Sequence, residues 1–219
     1  MLTDDQRRAA ANGLFVAERD HAPIPLITET YPDADVSDAY AIATYVRDLK
    51  VAAGSIVKGH KVGLTSKAMR STSGATEPDY GYMFHDWFVD EGSIVPFERL
   101  FAPLVEVEIA FVLKDRLSGP GVTAVDVIRA TDFILPALEI VDFRYTKRPK
   151  LVDSIADAAS CGLVVLGGVP RKLTDVDVRR IGASLAKNGE IEETGVASAV
   201  MGNPINAIAW LANKLHEFG

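Results

Sequence analysis

Residues 104–113 read LVEVEIAFVL, and residues 134–141 read ILPALEIV. Both stretches are rich in β-formers, and in a strand residues two apart share a face. The spacing therefore predicts a strand over 104–113 with Glu106 and Glu108 pointing one way and Val105, Val107 and Ile109 the other. The face that carries the carboxylates continues into Ala110 and Val112, which is not the pattern of a solvated surface. A second buried strand is expected over 133–141, and it carries a third carboxylate, Glu139, with apolar residues on both sides. A lone Glu is seldom buried unpaired. Three glutamates from two strands would suit a hard divalent cation, which takes oxygen ligands and keeps waters that a substrate can displace. The bland alternative is an exposed edge strand, with Glu139 paired to an arginine such as Arg144.

Outward from these strands the chain reads as α+β. Residues 4–18 and 39–54 have helical spacing, the second with Ser37 as its expected N-cap and Gly54 as its stop. Residues 55–64 are β-like, 66–70 suit a turn of helix, 124–131 a helix started by Thr123 and Asp126, and 162–166 a strand. Asn188-Gly189 between two alternating stretches predicts a hairpin with a type I′ turn. Asn203 as cap and Pro204 at the first position open a helix through residue 218. The expected organisation is a small helical N-terminal section, residues 1–54, attached to one core, residues 55–219.

Composition bounds the function classes. The 219 residues carry 23 Lys+Arg against 30 Asp+Glu, a net charge of −7, which argues against sequence-independent nucleic-acid binding. With 48% hydrophobic and 24% charged residues the chain is globular in composition, and no apolar run reaches the ~18 residues of a membrane span. The N-terminus lacks the apolar stretch of a secretory signal, and the single cysteine, Cys161, suits a reducing, cytoplasmic setting. Dinucleotide, phosphate-loop and nucleophile-elbow motifs are absent.

Two further segments carry chemistry. In VKGHKVGLTS (57–66), Lys61 shares a face with Gly59 and Gly63 and His60 points the other way. A lysine so flanked can stabilise a developing enolate or bind a carboxylate. A solvated surface lysine is the alternative, and His60 fits a structural histidine as readily as a site residue. In EPDYG (77–81), Pro78 fixes a turn and Gly81 releases it, which leaves Asp79 either as a general acid/base or as a local turn hydrogen bonder.

Taken together, KGHKVGLTSKAM, EPDYG, EVEIAFVL, LPALEIVD and GNPINAIAWLANKL resemble the 2-oxopent-4-enoate hydratase / 4-oxalocrotonate decarboxylase family of aromatic meta-cleavage pathways. The EPDYG and EVE forms stand nearest its 2-oxohept-4-ene-1,7-dioate hydratase branch. The resemblance implies a core like the C-terminal domain of fumarylacetoacetate hydrolase, a mixed β-roll. It implies Mg²⁺ or Mn²⁺ on Glu106, Glu108 and Glu139, a catalytic lysine at Lys61 with His60 beside it, and a loop acid at Asp79. It also implies a small 2-oxo- or 2-hydroxy-enoate substrate, a homo-oligomer and association with a partner decarboxylase. An acid at position 79 favours hydration over decarboxylation in that family. Other readings within the fold are C–C hydrolysis, keto–enol isomerisation and a non-catalytic subunit supporting a partner enzyme. The sequence departs from the pattern at Leu104, where relatives are commonly basic, and in Asp157-Ala158-Ala159-Ser160, which lacks an Asn. It also ends at Gly219, short of the Gly-rich strands with which relatives complete the core. Arg70, Arg144 and Lys147 are the candidate groups for a second substrate carboxylate.

Overall fold

The computed structural model describes residues 1–218. Three helices come first: α1 (Asp4–Arg19), the single turn α2 (Ile27–Thr30) and α3 (Val36–Ala52). Both long helices start at capping boxes, Thr3 with Gln6 and Asp35 with Asp38. Ser37 is therefore not the cap of α3. The Asp35 carboxylate, two residues earlier, accepts the Asp38 N–H at 2.9 Å, which satisfies a donor the helix itself cannot. Asp38 is fully buried because it also accepts from the Leu2 N–H and from Arg7, so α1 and α3 are locked side by side.

The body consists of the hairpin β1 (Val57–Gly63) and β2 (Asp79–Phe84), with α4 (Lys67–Ser73) between them, then β3 (Phe88–Asp90), β4 (Leu104–Leu113), α5 (Ala124–Ala130), β5 (Thr131–Val141), α6 (Leu151–Ala156) and β6 (Cys161–Leu166). It closes with the hairpin β7 (Gly182–Lys187) and β8 (Glu190–Val196) and the helix α7 (Pro204–Phe218). Strands β3, β6, β5 and β4 form one mixed sheet in that order, and β1–β2 and β7–β8 are separate two-stranded ribbons. The expected type I′ turn is present, with Asn188 at φ 53° and Gly189 at φ 88°. Asn203 caps α7 by accepting the Ile205 N–H at 3.1 Å.

One apolar cluster joins α1 and α3 to β2, α6 and β6 through Leu14, Ile42, Tyr80, Phe84, Ile155 and Leu163. A smaller one gathers Val127, Ile134, Val178 and Ile205. Polar bonds tie the helices to one another and to the turn after β2 as well. Glu18 accepts from Lys50 at 2.6 Å and from the Trp87 indole at 2.9 Å, and Thr28 bonds Asp153. Strand β4 lies at the edge of its sheet, and Leu104, Val105 and Val107 are exposed on it. The apolar face of that strand is exposed at Val105 and Val107, while Ile109 and Phe111 farther along pack against the Val127 cluster.

Candidate metal centre and active site

Register builds the site. In the antiparallel β4–β5 pair Glu106 stands directly opposite Glu139, and Glu108, two residues along, falls on the same face. Ligand oxygens of the three carboxylates lie within 4.8 Å of one another. Like charges at that spacing repel. Burial, then Glu139 and Glu106, push the Glu108 carboxyl up to about 7. Burial likewise raises Glu139, with Lys61 pulling the other way.

The β1–β2 hairpin brings the basic group. Lys61 pairs with Gly81, Gly63 with Asp79, and His60 with Tyr82, so Lys61 and Asp79 share one face and His60 takes the other. Lys61 is not a solvated lysine. Its ammonium sits 3.0 Å from Glu139 Oε1 and donates at 3.1 Å to the Ala159 carbonyl. Burial works against its charge, but Glu139 and Asp79 outweigh that and hold it above the usual lysine range, so it stays an ammonium. Asp79 does not sit in a turn. It is the first residue of β2, 4% exposed, with its carboxyl raised by burial. Gly63 makes room for it, because a Cβ there would lie 2.3 Å from Asp79 Oδ1 and 3.3 Å from Lys61 Nζ.

Two buried oxygens in this group, Asp79 Oδ1 and Glu139 Oε1, have no hydrogen-bond partner. The Lys61–Glu139 contact is an ion pair by distance without aligned hydrogen-bond geometry. Buried oxygens are normally satisfied; of the three carboxylates Glu139 is buried, while Glu106 is exposed on the edge strand. The donor set is all oxygen and partly open, so it fits a hard divalent cation that keeps positions for substrate. Lys61, Asp79, Glu106, Glu108 and Glu139 all line one cleft of about 2020 Å³.

His60 also lines the cleft, but it stands on the opposite face of the hairpin from Lys61. Its ring packs against Tyr82 and Tyr80 at 5.2 and 6.3 Å between centroids, and burial with Arg47 nearby lowers it to about 4, which keeps it neutral. Glu139 is not paired with Arg144. Arg144 is turned away into a buried pair with Asp157 at 2.6 Å. Nor do Arg70, Arg144 and Lys147 line the cleft. Arg70 is spent on the carbonyls of Leu64 and Thr65 and Lys147 on Glu29, while Lys58, Arg148, Lys150 and Arg171 are the cations along the cleft wall. The sequence reading missed two backbone elements. The Ala159 carbonyl had no signal in its residue type. Gly81, taken for a turn release, is extended instead and permits contact, because a Cβ on it would fall 1.9 Å from the Ala158 carbonyl oxygen.

No protein-family model matches the chain. Individual proteins do. It is 47% identical over 215 residues to the 2-oxo-hept-4-ene-1,7-dioate hydratase of Escherichia coli, an alignment that covers 95% of this chain and 80% of that protein. It is 40% identical over 219 residues to the 4-oxalocrotonate decarboxylase of Pseudomonas sp. (strain CF600), covering 100% of this chain and 83% of that one. The structure superposes with TM-score 0.95 and 36% identity on the 4-oxalocrotonate decarboxylase from Pseudomonas putida G7 complexed with magnesium and adipate, over 100% of this chain and 84% of the other. With identity this high over nearly its whole length, and with the fold shared, the chain belongs to the family of 2-oxo-hept-4-ene-1,7-dioate hydratases, 2-keto-4-pentenoate hydratases and 4-oxalocrotonate decarboxylases.

Proposed function

We propose that the chain is a divalent-metal-dependent hydro-lyase that adds water to a 2-oxo-enoate formed from a 2-hydroxy-dienoate, of the 2-oxohept-4-ene-1,7-dioate or 2-oxopent-4-enoate type. The observation that carries this reading is Asp79, a buried carboxyl with a raised proton affinity, set on the same hairpin face as Lys61 and lining the same cleft as three clustered carboxylates. Glu106, Glu108 and Glu139 would hold a Mg²⁺ or Mn²⁺, which would supply Lewis acidity toward the 2-oxo acid end of the substrate. Lys61, kept cationic, stabilises negative charge on the C2 oxygen as the 2-hydroxy-dienoate ketonises, losing its hydroxyl proton and gaining one at C5. Water then adds with its oxygen at C4 and its proton at C3, and Asp79 takes and returns the protons. His60 is assigned to packing beneath the strand. The finer fold reading, a fumarylacetoacetate-hydrolase-like β-roll of residues 55–219 with a helical section of residues 1–54, belongs to the same proposal, as does assembly into a homo-oligomer.

A second reading has specific support. The 40% identity to one 4-oxalocrotonate decarboxylase and the superposition on another favour metal-dependent decarboxylation of a 2-oxo-enedioate. It uses the same cation and the same enolate, so products separate the two. The test is to follow loss of dienol absorbance with mono- and dicarboxylic substrates, with and without Mg²⁺, and to identify the product. A 4-hydroxy-2-oxo acid with no carbon dioxide is expected. Release of carbon dioxide selects the second reading, and turnover that survives chelator removes both. Asp79→Asn is expected to lower kcat by about 10²–10³-fold.

A further inference from the structure

Residues 158–160 have an unusual backbone. Ala158, Ala159 and Ser160 have φ of 52°, 52° and 59°, so three successive non-glycine residues lie in the left-handed region. L-residues visit that region singly and at a cost, and persist there only where surrounding structure over-determines them. The turn also touches the proposed site. The Ala159 carbonyl accepts from Lys61 Nζ at 3.1 Å, the Ala158 carbonyl packs onto Gly81, and Gly81 is the strand partner of Lys61. Local bonds close the turn on itself: the Cys161 N–H donates to the Ala158 carbonyl, and Ser160 Oγ lies 3.0 Å from Ser154 Oγ. The Ser160 N–H donates to the Asp157 carbonyl, and the Ser160 carbonyl accepts from the Asp142 N–H, each at 2.9 Å.

Arg144 bridges the two ends of the turn. Its Nη2 donates to the Asp157 carbonyl at 3.0 Å and its Nη1 to the Cys161 carbonyl at 2.9 Å, the residues immediately before and after the left-handed stretch. Its Nε bonds Asp157 Oδ1 at 2.6 Å, and its own backbone N–H bonds the other oxygen of that carboxylate at 2.9 Å. One rigid planar group therefore spans both ends of the turn and is itself fixed, a task that the compact ammonium of a lysine cannot perform.

We propose that Arg144 is a positioning residue: its guanidinium ties together the two ends of the left-handed Ala158–Ala159–Ser160 turn, and that turn aims the Ala159 carbonyl at the Lys61 ammonium. Ala159 O and Glu139 hold the ammonium from two sides, so a turn that relaxes to right-handed or extended backbone withdraws one of them. The inference rests on the role given to Lys61 above.

Glycine adopts positive φ without steric cost. The test is therefore a rescue, made in the full chain with Mn²⁺. Arg144→Lys is expected to lower kcat by about tenfold or more with KM within about threefold, while Mn²⁺ stoichiometry, counted by electron paramagnetic resonance, matches the wild type. Ala158→Gly with Ser160→Gly is expected to leave wild-type kcat within about threefold, and to restore at least about fivefold of the loss in the Arg144→Lys background. A merely structural charge pair predicts additive effects. Unchanged kcat in Arg144→Lys, or no recovery with the glycines, overturns the inference. Should Arg144→Lys fail to fold, Gly81→Ala presses on the turn with Arg144 intact, and there a fall in kcat supports the inference and an unchanged kcat defeats it. Lys61→Met, assayed in parallel, separates the two levels. Normal turnover in that variant removes the Lys61 assignment itself, whereas loss of turnover with failed glycine rescue removes only the role of Arg144.

Discussion

Two buried ion pairs lie close together around β6, and they are built to opposite rules. Arg144–Asp157 is saturated: both carboxylate oxygens accept bonds, and the guanidinium reaches two carbonyls besides. Lys61–Glu139 is not: Glu139 Oε1 and the nearby Asp79 Oδ1 are buried without hydrogen-bond partners, and two more glutamates crowd the same face. A saturated pair recovers its desolvation cost from the protein's own groups and has nothing left to offer a ligand. An unsaturated one keeps oxygens that a cation and a substrate can use. Completeness of hydrogen bonding, more than burial or charge, separates the two pairs.

The comparison can be broken most sharply on its unsaturated side. Glu106→Gln keeps the shape and removes one negative charge, so metal-dependent turnover is expected to fall by about 10³-fold or more, about 4 kcal/mol of transition-state stabilisation. The metal-free variant is expected to melt at or above the wild-type temperature, since repulsion is relieved. Steady-state rates over a Mg²⁺ series and scanning calorimetry in chelator check both. A clear loss of metal-free stability would show that the glutamates belong to the framework after all.

Cutting the saturated pair does the reverse. Arg144→Met leaves Asp157 buried without its partner and is expected to cost about 3 kcal/mol of stability, or a fall of roughly 6–12 °C for a chain of this size, read by denaturant and thermal unfolding.

His60, half-buried against the tyrosines, sharpens the contrast through pH. Its folded pKa of about 4 lies below the ordinary 6.5. Unfolding therefore takes up a proton, and its contribution is present above pH 6.5 and lost as pH falls through 6.5 toward 4. The loss is expected to be about 2 kcal/mol, and His60→Gln is expected to flatten that part of the stability–pH curve while changing kcat at pH 8 by less than about threefold. A kcat collapse in that variant would bring His60 back into the site.

The smallest effect belongs to a surface pair. Lys147 reaches Glu29 at 2.7 Å, and both side chains are exposed. Lys147→Met is expected to shift the unfolding midpoint barely at low salt and not at all at high salt, and urea unfolding at two ionic strengths measures that baseline for an ion pair without burial.

Much of this was legible in the residues. Alternation placed Glu106 and Glu108 on one face, and β4 runs over Leu104–Leu113 as the pattern predicts. Thr123, Asn188-Gly189 and Asn203-Pro204 acted as expected because caps and tight turns are settled within a few residues. The failures have a common cause. Ser37 lost the cap of α3 to Asp35, two candidates being near enough that a single hydrogen bond decided between them. Asp79 entered a strand because Gly63 opposite it leaves space that the EPDYG segment does not announce. Arg144 was expected beside Glu139 or a substrate carboxylate, and tertiary packing gave it to Asp157.

The sequence by itself determined the periods, caps and turns, and hence which carboxylates share a face, because those depend on bonds between near neighbours. Only the tertiary structure decided which partner each buried charge takes. Lys61 meets a carbonyl 98 residues away, and three left-handed residues with no glycine among them sit where Gly81 leaves room and Arg144 bridges the ends. No residue type advertises such a choice, since in a crowded interior a charge goes wherever its lost hydration is best replaced.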